Sequence, residues 1–399
     1  MKLLRTWTDE IADDGVAISR LSGEVRYADG FTETVWFAFP ASAGGLSTSG
    51  NPWLAWMLPL ATTLGEPIQM DLPVDGQFLK TAGRLLEIWC SWYPHLHPVK
   101  IEAPTLPPSV FPAKPKAFAF FTGGVDSFFT VLRKVPSVGA PAQGLDALVN
   151  IWGFDIKLEH PESYRRAAVE VRAAAEKLGL PLIEGRTNLR ETRFKRANWG
   201  RLSHGAALAA VGLCLEGSFQ KAFVGSTHPP DHQPPHGSHP DTDYLLGTSG
   251  FEIVHDGADT SRAEKVELIA RHPVAMEHLH CCFREKSGGG NCGRCHKCYR
   301  TMLTLYLIGA LDRCRLYSDK PFDPRKASHL YVHTENSRIQ INDVAKLALR
   351  VGRPEVAAAI DAALQRSARL ERRIERLHAH GEGRWARTVR RLILSGSLR

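Results

Sequence analysis

The chain has 399 residues, 43% apolar and 23% charged, the balance of an ordinary globular protein with room for two or three domains. No apolar run approaches the ~20 residues that cross a bilayer, and Met1–Glu10 turns acidic before a secretory core can form, so a cytoplasmic location without a membrane partner is expected. The net charge of +8 suits an anionic partner without demanding one, because nucleotide sites and solubility also need positive charge.

Residues 1–112 form a first block, expected to be a β-rich α+β accessory domain. Val16–Leu21 and Thr32–Phe39 alternate with period two and flank a turn at Asp29–Gly30, as strands do. Pro52–Leu60 and Leu79–Trp92 suit helices, and the tryptophans of this block are expected in its core. Pro104, Pro107, Pro108, Pro112 and Pro115 stud a linker-like stretch.

Residues 113–315 alternate strand and helix. Lys116–Phe121 is apolar after its first residue, as a central parallel strand is. Asp146–Trp152, Pro181–Glu184 and Lys221–Val224 continue the strands. Glu162–Leu178, stopped by Gly179, and the small-residue run Ser203–Leu215 are the helices. The alternation predicts an α/β fold with a doubly wound parallel sheet and ligands at the carboxyl ends of its strands. Residues 316–399 are expected to be helical. Arg366–Arg399 holds ten arginines against Glu371, Glu375 and Glu382. A solvated helical face is favoured there over a nucleic-acid or acidic-partner site.

The first strand runs into Phe121–Thr122–Gly123–Gly124–Val125–Asp126–Ser127 and then an amphipathic segment. Two glycines at a strand-to-helix junction let the backbone approach an anion, and the helix N-terminus directs free N–H groups at it. Asp126 suits Mg²⁺, and Thr122 and Ser127 add hydroxyl donors. Without Gly-Lys-Ser/Thr this is not a Walker A loop. The loop after the fourth strand, from Gly225 and Ser226 to Asp243, carries four histidines and three aspartates among prolines. It is expected to handle the acceptor, with His228 or His239 as general base. Ser261–Glu264 reads as a capping box, with Arg262 and Lys265 on the first turn of its helix, in reach of phosphates. Cys292–Gly293–Arg294–Cys295–His296–Lys297–Cys298 is an overlapping C-x2-C-x2-C, and a reducing compartment makes it a metal site. The fourth ligand is Cys281 or Cys282. Ferredoxin motifs continue with x3-C-P, whereas Tyr299–Met302 follow here, so zinc is expected rather than an iron–sulfur cluster.

Thr122–Ser127 resembles the Ser-Gly-Gly-x-Asp-Ser signature of the PP-loop ATP pyrophosphatases, with Thr for Ser. Together with Phe154–Asp155 and Asn291–Cys298, it resembles 7-cyano-7-deazaguanine synthase and its relatives over about residues 116–312. The resemblance implies an adenine-nucleotide α-hydrolase-like (HUP) fold and an AMP-forming, C–N bond-forming ligase that uses ATP, Mg²⁺ and a structural Zn²⁺. It also implies that Gly123 and Gly124 cradle pyrophosphate and that the backbone near Trp152–Phe154 reads adenine. Arg262 takes the place of a basic residue that contacts ATP, and Cys282, followed by Phe283, is the fourth zinc ligand. The nucleotide set is then Phe121–Ser127, Trp152, Phe154, Ser226, Arg262 and Lys265. The catalytic set is Asp126, Ser127, Arg262 and His239. Relatives with extra domains occur in bacterial antiphage defence operons, so the acceptor is expected to be deazapurine-like or a protein. A tRNA-modifying PP-loop enzyme and a non-catalytic nucleotide-binding assembly module are the other classes, and an oligomer is compatible with each.

Overall fold

A computed structural model describes residues 1–13, 15–135, 142–282 and 290–379, with main chain alone at 377–379. Phe283, the Gly288–Gly289 turn and the arginines beyond residue 379 lie outside the described residues. The chain divides into two compact units. The first comprises Met1–Thr122, Thr130–Ser226 and Gln233–Ala258; the second comprises Gly123–Phe129, Thr227–His232 and the chain from Asp259 onward.

The first unit opens with a meander of β1 (Lys2–Asp13), β2 (Val16–Arg26) and β3 (Thr32–Pro40). Gly30 turns β2 into β3 at a left-handed φ of 84°. Then follow α1 (Asn51–Leu64), the short strands β4 (Ile68–Gln69) and β5 (Val74–Asp75), and α2 (Gly76–Trp92). The strands β6 (Ile101–Glu102), β7 (Thr105–Leu106) and β8 (Ala117–Phe120) lead to α3 (Val125–Leu132), which crosses from one unit to the other. The remainder is β9 (Ala147–Trp152), α4 (Pro161–Leu178), β10 (Leu182–Thr187), α5 (His204–Cys214), β11 (Lys221–Gly225) and β12 (Glu252–Asp256).

The result is a mixed α/β fold around one large, mostly parallel sheet. Ten strands lie in the order β12-β11-β8-β9-β10-β3-β2-β1-β4-β6, and the first five are mutually parallel. Strand order reverses beside β8, the position at which open α/β sheets place their ligands. Antiparallel pairing of β10 with β3, through Arg186↔Ala38 and Thr187↔Phe37, joins the N-terminal meander to the parallel strands. Residues 1–112 therefore share their sheet with the strands that follow.

One core unites them. Phe118 and Phe120 of β8, Val149 of β9 and Ala222 of β11 cluster with Val35, Phe37 and Phe39 of β3. Helix α1 is buried from Asn51 through Thr62, and α5 from Gly205 through Cys214. Two helices so apolar around their girth suit a buried layer, and they pack on each other. Trp53, Trp56 and Trp89 are fully buried, as expected of core tryptophans, whereas Trp7 of β1 is exposed, against that expectation. A Cβ on Gly23 would lie 2.5 Å from the Trp53 ring, so glycine there admits the indole.

The second unit is helical: α6 (Arg262–Ile269), α7 (Pro273–His278), α8 (His296–Leu307), α9 (Glu335–Arg350) and α10 (Pro354–Ala379). Tyr299, Leu303 and Leu307 of α8 pack with Ile341, Val344 and Leu347 of α9 and with Val356, Ile360 and Ala363 of α10. Arg366, Arg369, Arg372, Arg373 and Arg376 of α10 are exposed, whereas Ser367 and Ile374 are buried. That is the solvated face expected of the arginine-rich stretch. Among the described residues, no helix is long and apolar enough to cross a membrane.

Gly23→Ala is expected to destabilise the first unit by about 1–3 kcal/mol through overpacking against Trp53. A urea midpoint equal to the parent's would contradict that packing.

Candidate anion and metal sites

The loop that leaves β8 is held at its start within the first unit. Phe121 N–H donates to Val149 O at 2.8 Å, and Asn150 Nδ2 donates to Phe121 O at 2.7 Å. Gly123 opens the second unit's share of the loop at φ 73°, a left-handed conformation that side chains disfavour. Its carbonyl accepts from His280 N–H at 2.8 Å. Helix α3 begins at once, with Phe128 N–H on Gly124 O at 2.9 Å and Ser127 Oγ on the same oxygen at 3.1 Å.

Asp126 lies on the first turn of α3 and meets the first turn of α6. Arg262 Nη1 donates to its Oδ2 at 2.6 Å, and Lys265 Nζ lies 3.9 Å from Oδ1. Burial alone would raise the Asp126 pKa; the charges of Arg262 and Lys265, the Arg262 hydrogen bond and the charge of Arg300 outweigh it and hold the group below its usual value. Oδ1 is buried and makes no hydrogen bond among the described residues. Such a carboxylate oxygen suits a hard cation such as Mg²⁺.

Helix α6 is placed by the expected capping box: Ser261 N–H donates to Glu264 Oε2 at 2.9 Å, and Glu264 N–H to Ser261 Oγ at 3.3 Å. Asp343 of α9 fixes the same end, accepting Ala263 N–H at 2.6 Å. These contacts set the rotation of α6 and turn Arg262 and Lys265 toward Asp126. Arg300 of α8 joins them. It is buried, its Nε has no hydrogen-bond partner among the described residues, and it lines a small cavity with Arg262, Thr301, Thr304 and Gln340. Burial first, then the Arg262 charge, pushes its pKa down to about 9. Three cations thus lie near Asp126, and the cavity also carries the Asp343 carboxylate.

Cys282, Cys292, Cys295 and Cys298 bring their sulfurs within 4.8 Å of one another, and all but Cys292 are buried. The Cys292–Cys298 and Cys282–Cys295 sulfurs are 3.8 Å apart. A tetrahedron of ~2.3 Å metal–sulfur bonds has edges of about 3.8 Å, so the four thiols can chelate a single metal ion. Main-chain N–H groups steady them: Cys295 N–H reaches Cys292 Sγ at 3.2 Å, and Cys298 N–H reaches Cys295 Sγ at 3.4 Å. Cys281 stands outside the four, accepting from Thr301 Oγ1 at 3.7 Å. Asn291 braces the preceding segment, with Nδ2 on Leu279 O at 2.8 Å and Oδ1 accepting Cys281 N–H at 2.9 Å.

No family model, curated protein or solved structure matches this chain. The site therefore stands on its own geometry.

Of the residues expected to act together, Gly123–Ser127, Arg262, Lys265 and the four cysteines belong to the second unit. Phe121, Thr122, Trp152, Phe154, Ser226 and His239 belong to the first. Trp152 stacks on Tyr164 with ring centroids 5.0 Å apart, Phe154 is buried against Trp199, and Ser226 N–H pairs with Asp256 O at 2.8 Å. The histidine-rich loop is divided between the units. His228 is buried in the second, where Pro229–His232 wall a cavity of about 710 Å³ with Ser261, Glu264 and α9.

His239 is buried in the first unit, and both of its ring nitrogens engage loop backbone: Nδ1 accepts Asp241 N–H at 3.0 Å, and Nε2 lies 3.2 Å from Gln233 O. In this arrangement it fixes the loop. The imidazole that a carboxylate orients is His255 of β12, whose Nδ1 is 2.8 Å from Asp243 Oδ2. Asp243 also accepts Ser238 Oγ at 2.6 Å and His239 N–H at 3.1 Å. Arg300 and the Asp243–His255 pair went unread in the sequence. The available signals were a charge on the apolar face of α8 and a histidine closing a strand.

Two outcomes are expected. The chain should carry one metal ion per polypeptide, lost in Cys282→Ser and kept in Cys281→Ser; elemental analysis showing the reverse pattern would reassign the fourth ligand. His204, half-buried at the start of α5, is pushed down to about 4 by desolvation, with Asp155 and Asp243 opposing the shift and His236 and Arg190 adding to it. Because its folded pKa lies below the unfolded value of about 6.5, it contributes stability above that pH, which is lost as pH falls toward 4. His204→Gln should flatten the pH dependence of stability between those limits, and an unaltered slope in denaturant titrations would contradict its neutral burial.

Proposed function

We propose that this chain is an ATP-dependent, AMP-forming ligase of the PP-loop type, similar to 7-cyano-7-deazaguanine synthase. The observation that carries the reading is the loop at the reversal of strand order, with left-handed Gly123, followed by Asp126 held between Arg262 and Lys265. The four-sulfur centre beside it adds support, because the resembled family pairs such a loop with a structural zinc.

On this reading the main-chain N–H groups at the start of α3 bind the β and γ phosphates. An acceptor carboxylate oxygen attacks the α phosphorus, the α–β bond breaks, and pyrophosphate leaves with the bonding pair. Arg262 exchanges part of its pairing with Asp126 for the charge growing on the leaving group, which is preorganised electrostatic stabilisation. Asp126, whose Oδ1 makes no hydrogen bond among the described residues, would hold Mg²⁺, which when bound neutralises phosphate charge. An amine or ammonia then attacks the acyl carbon and loses a proton, and AMP departs as its C–O bond breaks. The cavity walled by Pro229–His232 and α9 is of the size small-molecule sites have, which favours it for the acceptor. The sulfur spacing favours one Zn²⁺ over a multi-iron cluster, and with it the ligase reading over thiolation.

ATP consumption is expected to yield AMP and pyrophosphate. Chromatography showing only ADP and phosphate would sink the proposal. Asp126→Asn should lower turnover more than tenfold with metal content at the cysteines unchanged.

A further inference from the structure

Among the described residues Arg300 makes no hydrogen bond through Nε, and the residue is only 5% exposed. A buried guanidinium nitrogen without a hydrogen bond is costly, and folded proteins keep one where a ligand or an assembled charge completes it. Its neighbourhood already holds more positive than negative charge. Arg262 lines the same small cavity, and Asp126 is committed to Arg262 at 2.6 Å and to Lys265 at 3.9 Å. Three cations against the carboxylates of Asp126 and of Asp343, which lines the same cavity, leave a surplus of one positive charge, which an anionic ligand would offset.

The metal centre sets where Arg300 sits. Cys295 caps α8 by accepting Cys298 N–H, and Arg300 lies two residues beyond Cys298, at the start of the next turn. The opposite ligand, Cys282, ends the segment whose His280 N–H holds Gly123 O at 2.8 Å. One tetrahedral centre therefore fixes both the third cation and the glycine that shapes the loop.

We infer that Arg300 is a ligand of the pyrophosphate moiety, a third cation that completes the anion site with Arg262 and Lys265 and is held in place by the four-cysteine metal centre. This rests on the nucleotide reading above and adds to it a residue and a reason for the metal. The competing role is electrostatic: four thiolates on one divalent ion carry two net negative charges, and Arg300 would simply offset them.

The two roles differ in what Arg300→Met does. The full, metal-loaded chain is titrated with inorganic pyrophosphate by calorimetry, alongside metal analysis and thermal denaturation. If Arg300 serves the anion, Arg300→Met weakens pyrophosphate binding at least tenfold, keeps one metal per chain and melts no lower than the parent, because a buried charge crowded by Arg262 has been removed. If it serves the thiolates, the variant binds pyrophosphate as the parent does and loses metal or melting temperature, and the inference is overturned. Should the Met variant fail to fold, Arg300→Lys decides. It keeps the charge but loses the planar fork, so a several-fold loss of pyrophosphate affinity supports the inference and parental affinity overturns it. A parent chain that binds no pyrophosphate overturns the nucleotide reading beneath it.

Discussion

The Asp126 carboxylate, 2.6 Å from Arg262 and 3.9 Å from Lys265, is the constraint on which the second unit's chemistry depends. It is partly withdrawn from water, and an ionised carboxylate there is stable only among cations. Those cations reach it because α6 is fixed at its start by two independent devices, the Ser261–Glu264 capping box and the Asp343 carboxylate. Removing Asp126 would leave three positive groups facing one another. The arrangement is thus closed by the Asp126–Arg262 pair.

The four-cysteine cluster, which can chelate a metal ion, belongs to the same device. A structural metal site is coupled to folding of the segment that bears it, and here the segment reaches the loop directly through His280 and Gly123. Asn291 ties the two arms of the cysteine cluster together from the outside. The path from a cysteine of the cluster to the glycine loop is therefore a short stretch of backbone, hydrogen-bonded at Leu279, His280 and Cys281, which leaves little slack between the two.

Much of this was legible in the sequence, and the omissions have physical causes. The strand at Lys116–Phe121 and the glycine loop announce themselves locally, as does the capping box, because each depends on neighbours within a few residues. The Arg262–Asp126 pair spans 136 residues, so spacing alone did not give it away; only the resemblance set both near ATP. β1 went unread because its exposed face and Thr6–Trp7–Thr8–Asp9 blur the alternation on which strand recognition rests. The choice between Cys281 and Cys282 turns on which side chain faces inward. The residues alone left it open, the family likeness pointed to Cys282, and the sulfur positions agree. His239 drew attention as a histidine in a polar loop, yet both of its nitrogens serve that loop, while His255 acquires its carboxylate partner only through the folding of β12 beside Asp243.

The central claim is that Gly123–Ser127 and the Arg262 group form one phosphate site. A crystal structure of the chain with ATP and Mg²⁺ tests it most directly. The account requires the terminal phosphates to lie within hydrogen-bond distance of the main-chain N–H groups at the start of α3, with at least one Arg262 nitrogen moved from Asp126 to a phosphate oxygen. Nucleotide bound elsewhere, with the Asp126–Arg262 pair intact, would contradict it.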